Sequence, residues 1–297
     1  MYFGSVRFFK HIIYGVVLLI VTLIFALLFH TIRLVVKAEG KQAVNPPEKA
    51  PVAEIPPPSF VMETPSTTAN NLTGFQLLYP TMYSKQPDES LVVDNMVYLT
   101  FDDGPSKRTL EVLDTLRENK VKATFFVVGN TDEFSKSVMR RIVEEGHSIG
   151  VHSFLHDYKK VYGSVDVFLD DFYAMYHLIY EATGIEPDIF RFPGGSVNSY
   201  NQTIYLEIID EMTRRGFTYY DWNVSSVDTN AGITPARIER NVINGTKKYA
   251  RSIVLFHDSS NKHATVSALD GIIKKLKKQG YIFDCLTNKV KPIIFKK

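Results

Sequence analysis

Cysteine is nearly absent, with Cys285 alone among 297 residues. A lone thiol has no internal partner, so the chain is not a disulfide-stapled secreted scaffold. A surplus of one charge is also missing. Lys and Arg total 34 against 32 Asp and Glu, and no dense basic block interleaved with aromatics occurs, which removes nucleic acid from the candidate partners. Long apolar runs are confined to one place, Ile12 to Phe29, where no charge interrupts IIYGVVLLIVTLIFALLF. That run is long enough to cross a bilayer as one helix. It is long for a signal peptide, and no A-x-A-like cleavage site closes it, so an uncleaved anchor is the expectation.

Beyond the run, Thr31 to about Asn71 carries Pro46, Pro47, Pro51, Pro56, Pro57, Pro58 and Pro65 without sustained periodicity, and it reads as a linker. Extended in polyproline form, its forty or so residues would reach ~120 Å, enough to hold a soluble domain well away from a membrane. Arg7 and Lys10 on one side of the span are matched by Arg33 and Lys37 on the other, so the distribution of positive charge does not set its orientation.

From Leu91 onward, apolar or β-rich runs alternate with amphipathic stretches. Strands are predicted at 97–101, 123–128, 147–151, 189–192, 217–220, 253–256 and 281–286. Helices are predicted at 109–117, 134–145, 165–181, 204–215 and about 265–278, where apolar residues recur at helical spacing. Such alternation implies a parallel α/β domain of about two hundred residues, whose chemistry gathers at the carboxyl ends of the strands. Polar residues recur there: Asp102 and Asp103, His152 and His156, Arg191, Asp221, then His257 with Asp258.

Adjacent Asp102 and Asp103 point apart along an extended strand, but the following Gly-Pro turn can bring both carboxylates to one locus, one as ligand and the other as base. Taken alone, the pair is equally compatible with a solvated Asp-Gly turn. His152 and His156, four positions apart, can converge on one ion if their segment turns, and Asp103 would complete a two-histidine, one-carboxylate set with open positions. Zinc is the simplest occupant; iron, cobalt and nickel suit the same donors. His147 and His177 are expected to be structural. Arg191 can pair with Asp102, and the glycines of Pro193-Gly194-Gly195 allow close backbone approach to a ligand. Trp222 is either a wall of a sugar or acyl pocket or a core residue. His257, leaving an apolar strand, needs an oriented partner to serve as a general acid, and Asp221 is the expected one.

Together these segments resemble the polysaccharide deacetylase family, the NodB-like homology domain of carbohydrate esterase family 4. Thr100-Phe101-Asp102-Asp103-Gly104 is similar to its TFDDG motif, and His152-Ser153-Phe154-Leu155-His156 to H-[ST]-x-x-H. Arg191-Phe192-Pro193-Gly194-Gly195 resembles the arginine-proline motif, Asp221-Trp222 the Asp-Trp motif and Leu255-Phe256-His257 the Leu-x-His motif. The resemblance covers about Asn95 to Leu286. It implies a deformed (β/α) barrel of about seven parallel strands and metal-assisted removal of an acetyl group from a polysaccharide. Asp103, His152 and His156 would bind the metal, Asp102 would be the base and His257 the acid. Arg191 would orient Asp102 and Asp221 would orient His257, while Trp222 and Leu255 would line the groove and the acetyl pocket. Gly194 departs from the pattern, standing where many members carry tyrosine; the backbone N–H expected to hold the oxyanion is retained.

The implied division is a cytoplasmic start and anchor over residues 1–30, a proline-rich linker and lead-in segment over 31–90, and a catalytic domain over 91–297. With the anchor and spacer, the family match points to bacterial peptidoglycan, N-deacetylated by a single-pass membrane enzyme whose catalytic domain lies outside the cytoplasm. Chitooligosaccharide and acetylated xylan are the alternative substrates, and a noncatalytic carbohydrate-binding domain of the same fold is the alternative class.

Overall fold

The computed structural model describes Leu72 and residues 74–295. The apolar run Ile12 to Phe29 and most of the proline-rich segment lie outside these residues; among the described ones, no helix is long and apolar enough to cross a membrane.

Eight strands form one parallel sheet: β1 (Met96–Asp102), β2 (Thr124–Val128), β3 (Ser148–Ser153), β4 (Ile189–Phe190), β5 (Thr218–Tyr219), β6 (Val224–Ser225), β7 (Ser252–His257) and β8 (Ile282–Phe283). Their order is β5-β4-β3-β2-β1-β7-β6, with β8 pairing the start of β1. The sheet is a deformed barrel, open between β5 and β6. All seven expected strands are present, and the two-residue β6 is additional.

Six helices of ten residues or more follow the strands: α1 (Lys107–Asn119), α2 (Glu133–Glu144), α4 (Val165–Thr183), α5 (Tyr205–Arg214), α6 (Pro235–Thr246) and α7 (His263–Lys278). A single turn, α3 (Tyr158–Val161), precedes α4. Local chemistry sets several of their starts. Ser106, Asp132, Ser164 and Thr234 each cap an N-terminus by accepting a backbone N–H, and Pro235 opens α6 at a position where a missing N–H costs nothing.

Most strand positions are apolar because both faces are covered. One face of β1 and β7 sends Val97, Leu99, Phe101, Val254 and Phe256 into the main core beneath the helices. The other face lines the barrel interior. At its base, Met96, Tyr98, Phe126, Ile189, Tyr220, Ile253, Leu286 and Val290 form a second apolar cluster. Two residues further along β1, β4 and β7, the same alternation places Thr100 and Asp102, Arg191, and Leu255 and His257 at the upper, carboxyl end. Their registers match, with Thr100 opposite Leu255 and Asp102 opposite His257.

The lead-in segment is part of this fold. A 3-10 helix at Gly74–Leu77 begins it, Met82 is fully buried, and Tyr79 stacks on Tyr173 of α4 at 4.1 Å between ring centroids.

Candidate active site

Asp102 ends β1 almost fully buried, and its Oδ1 accepts a hydrogen bond from Arg191 Nη1 at 2.9 Å. The same nitrogen donates to Thr100 Oγ1 at 2.6 Å, while Arg191 Nε donates to the Tyr220 carbonyl and Nη2 to that of Asp221. The guanidinium also lies 4.4 Å from the centroid of the Phe126 ring. A buried arginine held on all these sides cannot follow Asp102 if that carboxylate moves, so it fixes one oxygen and leaves the other for chemistry.

Asp103 follows with φ +73°, a left-handed conformation rare outside glycine. That twist breaks the alternation that would point adjacent aspartates apart. Asp103 Oδ1 comes within 3.5 Å of His152 Nε2 and 3.1 Å of His156 Nε2, while Asp102 Oδ2 lies 4.0 Å from His152 Nε2. Burial pushes the Asp103 carboxyl up, but the contact with His156 and the charges of His152, His156 and His257 outweigh it and hold the group well below the carboxylate range.

The histidines reach this locus from the end of β3 and the loop after it. His152 Nδ1 is 2.8 Å from the Arg191 carbonyl, a bond that places the proton on Nδ1 and leaves Nε2 as the ligand atom. Burial lowers its pKa and favours the neutral ring. His156 has φ +51°, and its N–H donates to Ser153 Oγ. The loop between the two histidines is held by Asp171 of α4, which accepts bonds from the Ser153 hydroxyl and the Phe154 and Leu155 N–H groups at 2.7–2.9 Å.

Asp103, His152 and His156 offer ligand atoms all within 4.8 Å of one another, the one such group among the described residues. Asp103 Oδ1 and His156 Nε2 are buried without a hydrogen-bond partner. Leaving two such atoms unpaired is costly unless a cation satisfies them, and one carboxylate with two imidazoles suits a divalent transition metal. The residues fit the group.

His257 ends β7 with a different partner from the one expected. Its backbone N–H and Nδ1 both meet the carboxylate of Asp228, each at 2.8 Å, and Thr265 donates to that carboxylate as well. Burial lowers the His257 pKa, but the Asp228 bond and the charges of Asp102, Asp228 and Asp103 raise it above the ordinary histidine value. Asp221 does not orient His257. Its carboxylate accepts from Ser196 N–H and hydroxyl and from Phe295 N–H, tying the turn after Arg191 to the C-terminal segment. The cause is geometric: Asp221 follows β5, on the far side of the barrel opening from β7, whereas Asp228 follows β6, the neighbour of β7.

The profile of the polysaccharide deacetylase family matches residues 92–216. A peptidoglycan-N-acetylglucosamine deacetylase of Bacillus cereus is 34% identical over 64% of this chain and 68% of its own length. The chain belongs to the polysaccharide deacetylase family. The solved catalytic domain of a peptidoglycan N-acetylglucosamine deacetylase from Eubacterium rectale is 36% identical, with a TM-score of 0.65 over 72% of this chain and 97% of its own. A family 4 acetyl xylan esterase from Clostridium thermocellum, solved with a cobalt ion, is 32% identical, with a TM-score of 0.55 over 64% of this chain and 87% of that one.

In this deacetylase-family chain the remaining expected residues also take defined places. Gly194 lies in the turn after Arg191, and no hydrogen bond occupies its N–H among the described residues. Leu255 is buried beside Thr100, and Trp222 packs edge-on against Phe295 at 4.8 Å. His147 is buried away from the site, its Nδ1 accepting from Ala123 N–H, and burial lowers its pKa to about 4. It is structural, as its position before the strand implied. His177 sits in α4 beside Tyr173. Beneath the site, Asp258 donates its N–H to the Asp102 carbonyl, and its carboxylate accepts from Thr109. Burial and the nearby Asp103 and Asp102 push Asp258 up to about 7 despite the Thr109 bond. Asp228 and Asp171 were beyond sequence reasoning: the first lies in an irregular stretch and the second is one of several acids on α4. Only the neighbourhood of Asp228 with Thr265 and His257, both distant from it in sequence, reveals it.

Proposed function

We propose that the protein is a metal-dependent hydrolase that removes N-acetyl groups from a cell-envelope polysaccharide, with peptidoglycan N-acetylglucosamine as the substrate. The observation that carries the reading is the convergence of a restrained carboxylate, a three-residue metal set and a carboxylate-held histidine at the upper end of β1, β3 and β7. The names of its relatives support the substrate.

Asp103, His152 and His156 would hold the ion, which we assign as zinc; cobalt, nickel or iron would fit the same donors. When bound, the metal polarises the acetyl carbonyl and acidifies water. Asp102, steadied through Oδ1 by Arg191, takes the water proton on Oδ2 as attack begins. The Gly194 N–H donates to the developing oxyanion. His257, with Nδ1–H given to Asp228, protonates the departing sugar nitrogen from Nε2 as the C–N bond breaks; acetate and a free amine result. Trp222 and Leu255 border the groove and the acetyl methyl. We also infer that Ile12 to Phe29 tethers the enzyme to the membrane and that residues 31–73 carry the catalytic domain outside the cytoplasm, a reading supported by the unbroken apolar run and the prolines after it.

The test is acetate release from purified peptidoglycan, chitooligosaccharide and acetylated xylan, with glycan length followed in parallel. Acetate release without chain shortening, abolished by chelation and restored by zinc, is expected, with peptidoglycan preferred. Activity in protein shown by elemental analysis to be metal-free would sink the assignment, and a preference for xylan would move the substrate to an O-acetyl ester.

A further inference from the structure

Gly194 and Gly195, adjacent in the turn after Arg191, are each faced by a different aromatic ring. A Cβ on Gly194 would lie 3.0 Å from the Tyr158 ring, and one on Gly195 would lie 2.5 Å from the Phe295 ring and 3.3 Å from that of Trp222. Both glycines have positive φ, so the turn is shaped by their lack of side chains, and the neighbouring rings fill the volume side chains would take.

Tyr158 is not a core residue that happens to be close. It is half-buried, its ring sits edge-on to the proposed metal ligand His156 at 5.4 Å, and its hydroxyl makes no hydrogen bond among the described residues. Tyr162, one turn further on, shows the structural alternative: it is 5% exposed and its hydroxyl donates to the Pro193 carbonyl. Beyond Tyr158, at 5.4 Å, stands Tyr200, which is 47% exposed. Phe295 belongs to the C-terminal segment, held by its N–H bond to Asp221 and its edge contact with Trp222, and it is also half-buried. Half-exposed rings bordering a polar reaction centre suit a ligand with an apolar face and a polar rim, which describes the C–H face and hydroxyl edge of a hexose.

We propose that Tyr158 and Phe295 are substrate-binding residues whose rings flank the Pro193–Ser196 turn and receive an N-acetylhexosamine unit of the glycan chain. The proposal rests on the deacetylase reading for the identity of the sugar, but its geometry concerns binding.

The experiment uses full-length protein in detergent with tetra-N-acetylchitotetraose. Binding is followed by the fluorescence of Trp222, the single tryptophan of the chain. Acetate release gives kcat and KM, and a small aryl acetate reports the reaction centre without a sugar. For Tyr158→Ala and Phe295→Ala, Kd and KM for the tetrasaccharide should rise about tenfold, the loss on the aryl acetate should be much smaller, and zinc content should stay at the wild-type level. Tyr158→Phe should recover the share due to the ring. Unchanged Kd and KM in both alanine variants would overturn the proposal, as would equal losses on both substrates accompanied by lost zinc, which would mark the rings as structural. Wild-type protein that binds the tetrasaccharide but releases no acetate overturns the reaction and leaves the rings to be judged by Kd. Wild-type protein that does neither overturns both.

Discussion

Asp228 spends both carboxylate oxygens on His257, one at the backbone N–H and one at Nδ1. Burial works against a charged imidazole, and the Asp228 bond, with the charges of Asp102, Asp228 and Asp103, reverses it. His257, the proposed general acid, is therefore protonated to higher pH than an ordinary histidine, and activity should fall as pH rises through its raised pKa. Replacing Asp228 with asparagine removes the charge that favours imidazolium, so the basic limb of the kcat profile should move to lower pH. Asp221→Asn should leave that limb in place, since its contacts are Ser196 and Phe295; a shift in the second variant and none in the first would return the role to Asp221. The neighbouring acids of β1 should separate in another way. Asp102→Asn should keep its metal yet lose turnover by a factor of about 10²–10⁴, whereas Asp103→Ala should lose metal as well, as elemental analysis of the same samples would show. Asp102, Asp103, His152, His156 and His257 were legible because each stands at or just after the end of a recognisable strand. Asp228 was not, because the strand before it has two residues and no readable alternation, whereas Asp221 follows the aromatic run Phe217 to Tyr220 and precedes the single tryptophan.

Among the elements, α4 does more than cover the sheet. Its Asp171 gathers three donors from the loop that carries His152 to His156, and without it the Phe154 and Leu155 N–H groups would be left unpaired in a partly buried place. Asp171→Ala should therefore loosen His156 relative to His152 and lower zinc affinity by roughly 10–100-fold, the scale for losing support behind a metal ligand. Competition with a chromogenic chelator measures this directly, and unchanged affinity in a folded variant would refute the link. The helix that carries Asp171 was easy to read, since Phe168, Phe172, Met175 and Ile179 recur at helical spacing. By contrast α6 is hard to read from sequence: it buries Ile238, Val242 and Thr246 in a single thin stripe, and its polar residues give little periodic contrast. Its start was nonetheless written locally, in Thr234 as cap and Pro235 as first residue.

At the scale of the molecule, the segment ahead of β1 joins the main core by packing on α4 and on the end of α5. Arg215 is fully buried at the end of α5; it donates to Glu211 and to the carbonyls of Leu78, Tyr79 and Met82. Tyr79 adds a 2.6 Å bond from its hydroxyl to Asp170. No periodicity announces this stretch, because it is held by carbonyl contacts with one arginine and by a single buried methionine, so the sequence alone places the start of the catalytic domain near Leu91. A fragment beginning at Leu91 would strip the Arg215–Glu211 pair of its carbonyl partners and uncover the site of Met82, leaving charge and apolar surface unmatched. Loss of the methionine contacts alone costs about 2–5 kcal/mol, and each lost hydrogen bond adds about 1 kcal/mol. For a domain of this size, ~1 kcal/mol moves Tm by about 2–4 °C, so the fragment should melt roughly 10 °C or more below one beginning at Leu72. Both should bind the same amount of metal when folded at low temperature, since Asp103, His152 and His156 come from the upper ends of β1 and β3. Calorimetry of the two fragments decides the point: coincident melting temperatures would show that the segment merely lies on the domain, and a matched loss of metal in the shorter one would show that the segment and the metal site are coupled.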